Sequence, residues 1–349
     1  MALVRNVLQE PRQDRVGWRF ADRNLIKQTV PDLSRMMTWT HRSLALLLTL
    51  ASGACGGPPA AGRGAGADAD TSTTGSNVVG DLRLHDFESA VFGNTRKLRV
   101  WLPPAYDAPA NRSRQYPVLF LNDGQNLFDS TTAILNPMEW RVDEAVSSLI
   151  ATGRIQPLIV VGIDNAGRRG RFREYFPYVD KYLDPPEPDP QGARYPAFLV
   201  DEVVPFIETR YRVSRDVNGR GIGGSSAGAL AALYAVIARP GIFGRLLVES
   251  PSVYVDDYRI LKDGRAVQVW PERTFLGVGT NEAGETNCNP SSADEGDLVR
   301  DVQRLRQLVL SHGVGADRVS LVIAPCAVHN EAAWADRLPL ALTFLFGPR

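Results

Sequence analysis

Apolar and polar positions first fall into a clear rhythm at about Asp81. Leu82-Arg83-Leu84-His85-Asp86-Phe87 and Arg96 to Leu102 alternate, joined through Gly93-Asn94 and stopped by Pro103-Pro104. This predicts two antiparallel strands with one solvated face. The rhythm then changes. Tyr116 to Leu121 and Pro157 to Ile163 are continuous apolar runs, the pattern of strands buried on both faces of a parallel sheet, and Glu139 to Ile150 between them is amphipathic at helical spacing. Further strands are predicted over Phe243–Ser250, Thr274–Thr280 and Val319–Ile323. Helices are predicted over Ala197–Tyr211, Leu230–Ala238, Leu298–Ser311 (His312-Gly313 as C-cap) and Ala332–Phe346. Alternating strands and helices predict an α/β fold: a mostly parallel central sheet, helices on both faces, and antiparallel strands at the N-terminal edge. Asn165–Phe176 and the proline-rich Asp180–Arg194 read as loops on the carboxyl side of the sheet, where open α/β sheets bind ligands.

Residues before 81 follow another logic. Residues 1–35 are polar without periodicity. Residues 36–55 carry a basic residue, a short apolar run (Leu44 to Ala51) and Ser52-Gly53-Ala54-Cys55, the layout of a secretory signal. The run is too short to span a bilayer comfortably. Cys55 fits a bacterial lipoprotein site, although leucine is usual where Ser52 stands; cleavage after Ala54 by the ordinary signal peptidase is the alternative. Translation is expected to begin at Met36 or Met37, which makes residues 1–35 an over-extended start. Residues 56–80 are rich in Gly, Pro, Ala, Ser and Thr and read as a flexible tether. The expected organisation is 1–35 start, 36–55 signal, 56–80 linker and 81–349 catalytic domain, in an exported protein that is periplasmic, membrane-anchored through a lipidated Cys55, or secreted. The 349 residues are 22% charged with formal net charge +0, so no basic surface points to nucleic acid.

The chemistry centres on Gly224-Ser225-Ser226-Ala227-Gly228, a G-x-S-x-G pattern between a strand and an apolar helix. A serine exposed on so sharp a turn strains its own backbone and crowds its neighbours, which favours small flanking residues. The overlapping Gly219-Arg220-Gly221-Ile222-Gly223-Gly224 matches a dinucleotide fingerprint. Several strands precede it, however, and Glu249 lies beyond the usual acidic position. A serine hydroxyl needs a base. Of four histidines, His41 lies in the signal, His85 on the first strand and His312 at a helix end, which leaves His329 after the last strand. The carboxylate that orients it is expected between them in sequence. Glu282 fits best, with Glu285 and Asp294 as alternatives. Gln125, after the strand ending at Leu121, is the candidate for one oxyanion-hole amide. Arg168 either meets substrate or pairs with Glu174. Cys288 and Cys326 follow the acid and precede the base, and in an exported protein they are expected to form a disulfide. No His/Cys/Asp cluster has metal-ligand spacing, and no cofactor is expected.

Asp123-Gly124-Gln125-Asn126-Leu127-Phe128, Val161-Gly162-Ile163-Asp164-Asn165, the Ser226 motif, Gly279-Thr280-Asn281-Glu282 and His329-Asn330-Glu331 with Trp334 together resemble the putative-esterase family of α/β hydrolases. That family includes ferric enterobactin esterases and related siderophore hydrolases, feruloyl and acetylxylan esterases, S-formylglutathione hydrolase and mycolyltransferases. The resemblance covers about residues 82–347. It implies an α/β-hydrolase fold, Ser226 as nucleophile, His329 as base, an acid near Glu282, and oxyanion amides from Gln125 and Ala227. The sequence departs from the family where Ala227-Gly228-Ala229 replaces the common Met-Gly-Gly. Asp123, Gly124, Trp140, Arg168 and Ser225 are the expected substrate contacts. The implied function is serine carboxylic-ester hydrolysis of a siderophore-type or acylated-carbohydrate ester. An acyltransferase and a non-catalytic binding module on the same scaffold are the alternatives.

Overall fold

The computed structural model of the protein describes residues 75–134, 138–180, 186–290 and 296–348. The expected signal, Cys55, most of the tether, and Asp294 lie outside the described residues. Strands β1 (Asp81–Ser89), β2 (Asn94–Leu102), β3 (Val118–Asn122), β4 (Ile159–Ile163), β5 (Arg220–Ser225), β6 (Arg245–Glu249), β7 (Arg273–Gly279) and β8 (Val319–Ala324) form one sheet in the order β1-β2-β4-β3-β5-β6-β7-β8. β1 pairs antiparallel with β2, and β2 with β4; every other pair is parallel. This is the α/β-hydrolase fold.

The period of two along each strand divides the core into two layers. Val118, Phe120, Ile222, Leu246, Val248 and Leu276 face one side, packed with Leu230 and Leu233 of α5 (Ser226–Ala238) and Val302 and Leu305 of α7 (Asp297–Ser311). Leu119, Leu121, Val160, Leu247 and Phe275 face the other. They meet Val142 and Val146 of α1 (Val142–Ala151) and Leu338 and Leu342 of α8 (Glu331–Phe346). Because β3 to β6 are covered on both sides, every residue in them is buried.

Three segments differ from expectation. The stretch after β4 carries a helix, α2 (Gly167–Tyr175), rather than a loop throughout. It has no apolar stripe to announce it, and it is held instead by buried ion pairs: Arg171 with Asp123 at 2.8 Å and Glu174 with Arg96 at 2.7 Å. The Ala197–Tyr211 helix is α3 (Tyr195–Ala197), a wide π turn over Phe198–Val203, and α4 (Val204–Arg210). Pro205 has no N–H to return to Asp201, and Val204 bonds Leu199 O, five residues back. The end of the expected tether is also fastened down. Ser76 donates to Asp129, Asn77 to Glu139 and the Val79 N–H to Asp143, while Val79 O accepts from the Trp101 indole.

Candidate active site

β5 runs straight into α5, with Ser226 as the first helical residue at φ +54°. That left-handed conformation is unusual for a residue with a Cβ and costs on the order of 1–2 kcal/mol. The two glycines make it possible. A Cβ on Gly224 would stand 2.8 Å from the Gly228 carbonyl carbon, and one on Gly228 would stand 2.8 Å from Asp123 Oδ2. The strand and the first turn of the helix therefore approach more closely than any side chain allows. Ser226 is half-buried at the carboxyl edge of the sheet, and its carbonyl accepts from Ser252 N at 3.2 Å. Ala227 follows at the helix N-terminus, where main-chain N–H groups have no intrahelical partner.

His329 and Glu282 stand on the loops after β8 and β7. The structure brings them together: His329 Nδ1 lies 2.7 Å from Glu282 Oε2. Asn330 fixes the His329 turn by capping α8, its side chain accepting from Ala333 N at 3.0 Å. The second Glu282 oxygen accepts from Gly279 N at 2.6 Å and Ser250 Oγ at 2.7 Å. Burial pushes the Glu282 carboxyl up, but the His329 hydrogen bond and charge, the Gly279 N–H and the Ser250 hydroxyl outweigh it and hold it below its ordinary value. Glu282 is thus an anion facing one ring nitrogen, which fixes the tautomer and leaves Nε2 to accept a proton. Glu285 is exposed and ties its backbone to Asn281 through two hydrogen bonds. Cys288 and Cys326 form a disulfide that joins the Glu282 loop to the His329 loop.

Gln125 lies in the 3-10 turn Gly124–Asn126 directly after β3. Its side-chain oxygen accepts from Asn165 N at 3.1 Å. Asn126 Nδ2 donates to Glu331 at 3.1 Å, linking this turn to the helix behind His329.

Three of the expected substrate contacts are engaged within the fold. Asp123 is buried, and both its oxygens are taken by Arg171 at 2.8 Å, with Asn165 Nδ2 on Oδ1 at 2.6 Å. Gly124 lets the backbone of its turn press on β4, since a Cβ there would meet the Gly162 carbonyl carbon at 2.7 Å. Trp140 is buried against Trp334, ring centroids 5.6 Å apart. Ser225 is buried at the end of β5. Arg168 is exposed and donates to Ile134 O at 2.9 Å; the expected Arg168–Glu174 pair is not formed, because Glu174 is engaged by Arg96 and Asn94.

Two features escaped the sequence. Ser250 contacts Glu282 from the end of β6, the strand between Ser226 and Glu282 in sequence, and nothing local marks it. Glu249 and Arg337 form a buried pair one residue away, at 2.8 Å. Burial pushes the Glu249 carboxyl up to about 7 against the pull of Arg337. An acidic residue closing the apolar run Leu246-Leu247-Val248, and an arginine on the apolar side of a closing helix, were the available signals.

Comparison with known proteins places the fold. The family profile Esterase, described as "Putative esterase", matches residues 89–345. The uncharacterized protein YbbA of Bacillus subtilis is 23% identical over 254 residues, 72% of this chain and 93% of that protein. An endo-1,4-beta-xylanase/feruloyl esterase of Xylanibacter ruminicola is 25% identical over 207 residues, 58% of this chain but only 25% of that longer protein. Among solved structures, the enterobactin esterase of Shigella flexneri superposes with a TM-score of 0.58 at 19% identity, covering 78% of this chain and 60% of that one. The match spans most of the described residues and includes Ser226, Glu282 and His329: the chain belongs to the Esterase family of α/β hydrolases and is a carboxylic ester hydrolase.

Proposed function

We propose that the protein hydrolyses its ester through a Ser226–His329–Glu282 triad and an acyl-enzyme, with no cofactor. The observation that carries this reading is the 2.7 Å contact between His329 Nδ1 and Glu282 Oε2 on the carboxyl edge of the sheet that also presents Ser226. Ser226 Oγ attacks the ester carbonyl while His329 Nε2 takes its proton. Glu282 stabilises the imidazolium. The Gln125 and Ala227 amides receive the oxyanion, a contribution of roughly 3–4 kcal/mol per donor in comparable sites. Collapse expels the alcohol, protonated by His329. Water, deprotonated by the same nitrogen, then releases the acid and regenerates Ser226.

For substrate, the names of the relatives support two classes: a siderophore trilactone of the enterobactin type, or a feruloylated carbohydrate. The apolar run and cysteine near residue 55 support an exported enzyme that meets such esters outside the cytoplasm. The test is fluorophosphonate labelling of the purified protein, with the adduct located by mass spectrometry and Ser226→Ala as control. The expected result is one adduct, on Ser226, absent from the variant. Glu282→Gln lowers kcat by about 10³–10⁴-fold and Glu285→Gln by less than about threefold. Absence of an adduct on folded protein removes the reading. Hydrolysis of the trilactone and of feruloylated oligosaccharide, compared by kcat/KM, selects the substrate class. Acyl transfer to an added alcohol that outruns hydrolysis would instead make the protein a transferase.

A further inference from the structure

Ser250 is the first residue after β6, fully buried, at φ +43°. Serine has no steric licence for that conformation, so something must hold it there. The surroundings show what does. Ser250 N donates to Gly277 O at 2.8 Å on the neighbouring strand. The Trp334 indole N–H donates to Ser250 Oγ at 3.0 Å, which leaves the hydroxyl proton one direction to point, toward Glu282 Oε1 at 2.7 Å. Trp334 also packs edge-on against the His329 ring, with centroids 5.2 Å apart. A single chain of contacts therefore runs from α8 through Ser250 to the acid, and from the acid to the base.

From this geometry we infer that Ser250 is a positioning residue: its hydroxyl, oriented by Trp334, pins one oxygen of Glu282 so that the other is fixed on His329 Nδ1. The inference rests on the triad reading above. The division of labour on the carboxylate is specific. Oε1 takes the two supporting donors, Ser250 and Gly279 N, and Oε2 takes histidine. A carboxylate on a loop turns easily about its terminal torsion; a side-chain donor and a main-chain donor on the same oxygen stop that rotation. The left-handed backbone of Ser250 aims the hydroxyl back under the β7 loop, and the strain is retained because the catalytic geometry needs it.

The experiment compares Ser250→Ala with wild type in the full chain, alone and combined with Glu282→Gln. Ser250→Ala is expected to lower kcat about tenfold with KM within twofold, an effect on transition-state rather than ground-state binding. Adding it to Glu282→Gln is expected to change kcat by less than twofold, because a residue that acts through Glu282 has nothing left to act through. The downfield proton resonance of the His329–Glu282 hydrogen bond should broaden or vanish in Ser250→Ala. Ser250→Gly gives the same kinetic result with a residue suited to positive φ, so a folding defect of the alanine variant does not decide the matter. A merely structural role would lower kcat equally in both backgrounds and leave the resonance in place; that result, or an unchanged kcat in the single variants, overturns the inference while the triad stands. If wild type neither labels at Ser226 nor hydrolyses esters, the triad reading falls and this inference with it.

Discussion

Ser226 and the His329–Glu282 pair sit on the same edge of one sheet but are held there by opposite means. Ser226 is fixed by the backbone. β5 and α5 share no linker, and the turn closes where Gly224 and Gly228 have no side chains: a Cβ on Gly224 would meet the Gly228 main chain, and one on Gly228 would meet the Asp123 carboxylate. His329 and Glu282 are fixed by side chains and cross-links: the Ser250 and Gly279 donors, the Asn330 cap, and the Cys288–Cys326 disulfide. Backbone control is local and leaves no tolerance. Side-chain control is distributed over residues far apart in sequence, so it fails gradually. The two corners should therefore break differently.

The largest effect is expected at the elbow. Gly224→Val places a branched side chain where even a Cβ would stand 2.9 Å from the Gly228 carbonyl oxygen. The Gly228 main chain on one side and the Asn122 Cβ at 3.1 Å on the other leave no rotamer escape. The expected cost is about 3 kcal/mol of stability, as for overpacked cores, with activity lowered more than about 10³-fold because the Ser226 turn must open. Denaturant unfolding and fluorophosphonate labelling at the same temperature check both parts. A folded, fully labelled variant would show that the turn is not glycine-dependent.

The same contrast explains how much was legible in the sequence. The elbow was read from one stretch because all of its constraint is local: small residues, a serine, a strand before and a helix after. The sheet was equally readable, since β3 and β4 are apolar runs and β1 and β2 alternate. His329 emerged because His41 reads as part of a signal, His85 lies on β1 and His312 ends α7. Glu282 could be placed only by order along the chain, and nothing local announces that Asp123, Gly124 and Trp140 meet Arg171, β4 and Trp334. Those partners lie far away in sequence, and no local pattern encodes them. Helix α2 was missed for the same reason: its stability comes from ion pairs with Asp123 and Arg96, not from a hydrophobic face.

A smaller effect is expected from the cross-link of the acid–base corner. The disulfide spans 38 residues. In the chain-entropy account a loop of that length contributes about 4 kcal/mol, with measured values typically about 2–4 kcal/mol. Cys288→Ser with Cys326→Ser should lose stability in that range, yet keep activity within about tenfold at low temperature. The loops remain joined by Thr280 N to Ala324 O at 3.0 Å, Asn281 N to Ala327 O at 3.1 Å and the His329–Glu282 bond itself. Rate and thermal inactivation, measured with and without reductant on wild type, give the comparison. Complete loss of activity in the cold would mean that this corner is as brittle as the elbow.

The smallest effect, and the control for both, lies away from the site. Asp143 on α1 is fully buried and accepts from Val79 N at 2.6 Å, which ties residues 76–80 to the domain. Burial pushes its carboxyl up to about 8, with the Glu144 charge adding to the rise and the Val79 N–H opposing it. An unfolded aspartate releases its proton near about pH 4. Between that pH and about 8 the folded chain binds more protons than the unfolded one, so this group makes stability fall as pH rises through the window. Asp143→Asn keeps the acceptor for Val79 and abolishes the ionisation. Variant and wild type should therefore have similar Tm near pH 4, separate as pH rises, and differ by at least about 1 kcal/mol above pH 8, roughly 2–4 °C in favour of asparagine. Ester hydrolysis should not change, because no contact of Asp143 reaches Ser226, Glu282 or His329. A Tm gap that shrinks with rising pH would show that Asp143 is ionised throughout and that the tie is a carboxylate–amide bond. A matching loss of kcat would show that the fastened segment supports the site, and that side-chain control extends well beyond the acid–base corner.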